Sequence, residues 1–123
     1  MTQSLNHLEG VRIPLPNKNI LHAWYKFYCF LLPEKLSPSW NRSKILETIQ
    51  KKGYPAFEGG CSEVYLEKCF KNVAYEKKGN LKNAVYLGKS SYMFLVHPTI
   101  SIDEMHLYSK TISNLFINDG MGL

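Results

Sequence analysis

The sequence predicts an α+β (mixed α/β) fold: a small three-stranded sheet with helices packed on one face. Three observations carry this. Residues 22–32 and 91–96 are runs rich in aromatic and apolar side chains that suit buried strands. Asn41 and Ser101 each stand just before apolar residues repeating at helical spacing, where a side-chain oxygen can cap a helix. The segments then follow in the order strand, helix, strand, helix, helix, strand, helix, the pattern of a layered sheet with helices.

Residues 1–20 are mostly polar, carry Pro14 and Pro16, and read as an irregular lead-in or linker. The first strand holds Trp24, Tyr25, Phe27, Tyr28 and Phe30 and stops at Pro33; residues 34–40 form a loop. Asn41 starts a helix with Ile45, Leu46 and Ile49 on one face, and Gly53 supplies its left-handed stop. Residues 54–58 are a short strand, and Pro55 places it at a sheet edge because proline has no N–H for a ladder. Gly59-Gly60 is a turn or a close approach. Ser62 then caps a short helix to about Phe70, with Glu63, Glu67 and Lys68 on its exposed face and Tyr65 and Phe70 turned to the core. Residues 71–80 are an exposed loop. Residues 81–87 are a helix closed by Gly88, and 91–96 a strand ended by His97-Pro98. Ser101 and Glu104 form a capping box for a last helix to about Ile117, with Ile102, Met105, Tyr108, Ile112, Leu115 and Phe116 inward. The folded domain is expected at 21–118 and a frayed tail at 119–123.

A length of 123 residues suits one domain and can bury roughly 65% of the surface its unfolded chain exposes. The longest apolar run, 27–32, is far below the ~20 residues that span a bilayer, and no signal-peptide pattern opens the chain, so a cytoplasmic protein without a membrane partner is expected. The net charge of +5 raises the question of nucleic acid. Its lysines occur singly or in pairs (Lys51-Lys52, Lys77-Lys78) among glutamates, so a solvated surface is the better reading, while an anionic small ligand fits the charge equally well. Around the aromatic first strand only Lys26 is a basic neighbour, which favours core packing over base stacking. Cys29, Cys61 and Cys69 are odd in number, contain no C-x-x-C pair and have no nearby histidine, which argues against a disulfide framework and against metal binding.

Four blocks of residues together resemble a known family. They are His22-Ala23-Trp24-Tyr25-Lys26-Phe27-Tyr28; Arg42 with Ile45, Leu46 and Gly53; the run from Gly59-Gly60-Cys61-Ser62-Glu63 to Phe70; and Leu95-Val96-His97-Pro98-Thr99. From about His22 to Phe116 the chain is similar to the C-terminal small domain of the DegT/DnrJ/EryC1/StrS aminotransferases, and the glycine-cysteine block is the most specific part. The resemblance implies a fold-type I, pyridoxal-phosphate enzyme, typically homodimeric, that aminates keto-sugars on nucleotide carriers in polysaccharide biosynthesis. Its partner would be a large domain, on the same or a separate chain, carrying the aldimine lysine and the phosphate-binding groups. No lysine here is assigned that role, because a Schiff-base lysine also needs a cofactor cradle. The chain alone is then expected to bind no cofactor and to be inactive.

By the same resemblance the loop of Phe57, Glu58, Gly59, Gly60 and Cys61 reaches towards substrate, with a nucleotide sugar as the implied ligand. Phe57, Gly59, Gly60, Cys61 and His97 are the substrate-binding candidates; no catalytic, cofactor-binding or metal-binding residue is assigned. Gly60 stands where a serine would be less surprising, which leaves the sugar open. Each candidate has a plainer reading. Gly59-Gly60 before a helix can bind an anion through backbone N–H groups, and a simple turn explains the pair as well. Cys61 at a helix N-terminus would have a lowered thiol pKa, but no general base is identifiable, so a cleft-wall cysteine is favoured over a nucleophile. His97 can meet substrate or its phosphates; packing at a domain seam is the commoner outcome for such a position. His7, His22 and His106 receive no role. The alternative to an aminotransferase domain is a stand-alone, non-catalytic binding module or remnant of the same fold.

Overall fold

Two antiparallel strands, β2 (Lys26–Leu31) and β4 (Ser91–Leu95), form the centre of the sheet. Phe27 lies opposite Phe94 and Cys29 opposite Tyr92, so one face of the pair is a continuous buried surface. β3 (Ala56–Glu58) pairs with the outer side of β4, and β1 (Val11–Arg12) with the outer side of β2, giving an antiparallel sheet in the order β1-β2-β4-β3. The computed structural model describes residues 1–73 and 81–120, the latter with side chains to 118. Among these residues the helices are α1 (Thr2–Leu5), α2 (Arg42–Lys51), α3 (Lys82–Ser90) and α4 (Ile102–Leu115). None is long and apolar enough to cross a membrane.

Helices α2 and α4 supply Ile45, Leu46, Ile49, Tyr108, Ile112 and Leu115 to the core beneath the buried sheet face. Both caps form as the sequence implies. The Asn41 side chain accepts from the Lys44 N–H, and Ser101 and Glu104 make a complete capping box. Gly53 takes φ 86 after α2, where an L side chain would be strained. β3 is an edge strand behind Pro55, whose carbonyl accepts from the Tyr108 hydroxyl at 2.5 Å, while Gln50 of α2 donates to Ala56 O at 2.7 Å.

Several elements depart from the sequence reading, each for a local reason. The lead-in is not wholly irregular: it supplies α1 and a fourth strand, β1. Leu5, Leu8, Val11 and Ile13 are spaced to bury, and they do. The first strand starts at Lys26 and not near 22, because Trp24 adopts φ 50, with its N–H donating to His22 Nδ1 at 2.9 Å. Helices lie on both sheet faces, since α3 stands over the side that carries Tyr28 and Phe30. The expected helix after Ser62 is instead two 3₁₀ turns, Val64–Leu66 and Lys68–Phe70, broken where Glu67 takes extended dihedrals. Ser62 caps nothing there, and neither Tyr65 nor Phe70 is buried.

Helix α3 runs through Gly88 to Ser90 instead of stopping at the glycine. Gly88 is there for space, because a Cβ would come 2.0 Å from Ser62 Oγ. Ile102, expected inward, is exposed in the first turn of α4. That helix continues as a π-helical turn over Phe116–Gly120 and buries Phe116, so ordered backbone extends to residue 120 of the expected tail. Residues 74–80 of the expected loop, and 121–123, lie outside the described residues.

Candidate functional site

The loop leaving β3 bends across the start of β4. Gly59 N–H donates to Ser91 O at 3.2 Å, and a Cβ on Gly59 would fall 2.0 Å from Ser91 Oγ, so this glycine is required by close approach. Gly60 is different: a Cβ there meets nothing within 4 Å and its φ is not left-handed. A serine would fit at 60.

Beyond the glycines the loop folds over an open polar cleft of about 400 Å³, lined by Arg42, Glu58, residues 59–63, Leu66, Glu67 and Gly88. Arg42 ties its walls together. It is the first residue of α2, where the helix dipole disfavours a cation, so its position needs another cause. Nη2 pairs with Glu58 Oε1 at 3.1 Å, and Nη1 donates to the Gly88 carbonyl and, at 3.4 Å, to Ser91 O. One guanidinium thereby joins α2, β3, α3 and β4 at the floor of the cleft. Its side chain is only 21% exposed, so the pair with Glu58 is better shielded than an ordinary surface ion pair.

The remaining polar groups are mostly acceptors. Cys61 Sγ donates to Glu67 Oε1 at 3.1 Å, and the Tyr65 hydroxyl donates to Glu63 Oε1 at 2.7 Å. The Glu67 carboxylate first, then desolvation, pushes the Cys61 thiol above its ordinary value. This reverses the expected activation: no helix begins at Cys61, and the nearest charge stabilises the protonated thiol. Cys61 is therefore a wall residue. No group of three His, Cys, Asp or Glu side chains suited to a metal ion occurs among the described residues.

The sequence candidates do not form one site. Gly59, Gly60 and Cys61 line the polar cleft beside Ser91. Phe57 sits opposite Met93 on the other sheet face and does not line the cleft. His97 follows the far end of β4, already roughly 13 Å away by Leu95 at ~3.3 Å per residue. It borders a separate, mainly apolar hollow with Trp24 and Tyr25, and its Nδ1 hydrogen-bonds the Thr99 hydroxyl at 2.8 Å. Sequence reasoning used Arg42 only as a resemblance marker and missed its place in the cleft. An arginine at the first position of a helix, with no acidic residue in that turn, was the available signal.

Comparison with solved structures gives consistent matches. The chain is similar over 95% of its length to 31% of the aminotransferase from Psychrobacter cryohalolentis, at 34% identity and a TM-score of 0.83. A DegT DnrJ EryC1 StrS aminotransferase from Brucella abortus matches 96% of the chain with 28% of its own length, at 17% identity and TM-score 0.71. The aminotransferase TlmJ from Streptoalloteichus hindustanus matches 94% with 29% of its own, at 14% identity and TM-score 0.71. The last two show the fold alone. The chain thus spans about three tenths of the proteins it resembles. No protein-family model and no curated protein matches it.

Proposed function

We propose, from a chain that has the fold of the C-terminal small domain of DegT/DnrJ/EryC1/StrS aminotransferases, that it forms one wall of the active-site cleft of a transaminase acting on keto-sugar nucleotides. The observation that carries this is the 34% identity to an aminotransferase over 95% of the chain, with the required glycine Gly59 turning the loop into a cleft. A large domain, on the same or another chain, would bring the cofactor lysine; the limited coverage of the longer relative supports such a partner.

Pyridoxal phosphate supplies the electron sink for transamination. The cleft residues do not fit that group. They include Glu58, Glu63 and Glu67, their one cation is already paired with Glu58, and no lysine lines the cleft. A phosphate would meet like charge there. Carboxylates suit sugar hydroxyls instead, which donate hydrogen bonds, so the cleft fits the sugar portion of a substrate whose phosphates lie against another surface. The chain's own part is to orient the sugar.

Two measurements test this. Incubating the chain with pyridoxal phosphate, reducing with borohydride and mapping the product should give no stoichiometric adduct at a single lysine; a specific adduct overturns the division of labour. Sequencing the source DNA upstream of the Met1 codon should show an open frame encoding a lysine-bearing cofactor domain. A stop codon followed by a natural start would favour a free-standing binding module of the same fold.

A further inference from the structure

The outward face of β2 carries Lys26, Tyr28 and Phe30 at alternate positions, and β1 sets Arg12 directly opposite Phe30. The sequence offers only one basic neighbour to this aromatic strand; the β1–β2 register adds a second. Arg12 lies over the Phe30 ring at 4.3 Å, and Lys26 Nζ lies 5.4 Å from the Tyr25 ring. Neither takes part in an ion pair among the described residues. A hollow of about 560 Å³ opens here, floored by Tyr28 and Phe30, walled by Leu87 of α3 and by Trp24, and lined by no acidic side chain. That volume falls in the range of small-molecule sites.

We infer that this hollow binds a small molecule consisting of an aromatic ring that bears an oxyanion. A ring seated over Tyr28 has Lys26 two residues along β2 on one side, roughly 7 Å away, and on the other side Arg12 of β1, whose guanidinium lies over the Phe30 ring. Arg12, held over the Phe30 ring, has guanidinium N–H groups that can donate to a carboxylate or phosphate. The apolar floor accepts the ring, and the two cations select the sign of its charge. Trp24 is built into the wall at a backbone cost, since its φ of 50 is rare for a bulky residue and is held by the His22 acceptor. The site is separate from the polar cleft and does not rest on the transaminase reading.

Trp24 is one of two tryptophans and borders both this hollow and the one beside His97, so a Trp40→Phe chain reports binding by fluorescence and the Arg12 and Lys26 variants assign it to this hollow. The probes are 4-phenylbutyrate and adenosine monophosphate, with 4-phenylbutylamine and inorganic phosphate as controls. Saturable quenching by either aromatic anion, and by neither control, supports the site; the tighter of the two tells whether the anion is a carboxylate or a phosphate. Arg12→Gln and Lys26→Gln should each weaken binding about threefold, and more together. No saturable quenching, equal binding of the amine, or affinity unchanged in both variants overturns the proposal. Should Trp40→Phe fail to fold, amide shifts of β2 in the unaltered chain give the same readout.

Discussion

Replacing Gly88 with alanine sets two effects of opposite sign against each other. In an open helix interior the change gains about 1 kcal/mol of helix propensity. Here the new Cβ would lie 2.0 Å from Ser62 Oγ and 2.7 Å from Ser62 Cβ. Rotating the hydroxyl relieves the first contact but not the second. Bringing 2.7 Å up to the 3.4 Å of an ordinary contact means moving the Ser62 backbone by about 0.7 Å. Overpacking of this kind costs about 1–3 kcal/mol, so Gly88→Ala should be net destabilising by about 1 kcal/mol. Ser62→Gly removes both overlapping atoms. In that background the same alanine should stabilise by up to about 1 kcal/mol, because the propensity term remains. Unfolded-state effects of losing a glycine are common to both backgrounds and cancel in the double-mutant cycle. Urea unfolding of the four proteins measures this. Stabilisation by Gly88→Ala in the unaltered chain, or the same sign in both backgrounds, would refute the packing of α3 against the cleft loop.

Gly60→Ser should leave the unfolding free energy measured in urea within about 0.5 kcal/mol of the parent, since its Cβ enters open space, whereas Gly59→Ser should destabilise clearly through Ser91. Under iodoacetamide at pH 8, Cys61 and Cys69 should alkylate while Cys29, buried with its thiol pushed up to about 12, is protected. Glu67→Gln should speed Cys61 specifically, because it removes the carboxylate that keeps the thiol protonated. The Ser101 hydrogen bonds hold the Glu104 carboxyl below its ordinary 4.5, so its contribution to stability is present above that value and lost as pH falls through the lowered one. Acid titration followed by circular dichroism should show Glu104→Gln losing less helix on acidification than the parent. The Tyr92 hydroxyl is fully buried with the Cys29 thiol as its polar neighbour, but among the described residues no group meets it in hydrogen-bond geometry. Tyr92→Phe keeps the ring and should be neutral or stabilising by about 1 kcal/mol in thermal melts.

The fold was most legible where one strong local rule acted alone. Asn41, Gly53 and the Ser101–Glu104 box are short-range devices, and each is found as read. The lead-in failed for the opposite reason. Its Leu5, Leu8, Val11 and Ile13 are diluted by polar neighbours and acquire meaning only when α4 and β2 are present to receive them. Gly88 shows how one residue type carries two messages. A glycine after a helical run reads as a stop, yet here it marks an approach of another segment, and nothing local distinguishes the two.

The same division runs through the candidate site. Gly59-Gly60 reads as a turn or a close approach, and the sequence could not say that only the first glycine needs the space, because the atom it meets belongs to Ser91 on another strand. His97 and the loop lie apart because of register. β3 and β4 run antiparallel, so the residues that follow each strand depart from opposite ends of the sheet, and two segments that both follow strands are held apart. Arg42 joins what His97 does not: it contacts the β3 end, the α3 carbonyl and the start of β4 at one point. Its cost at a helix N-terminus is readable in one dimension, while its return is visible only in three. A charge placed against its local preference is therefore the better pointer to a constructed cleft than a histidine at a strand end.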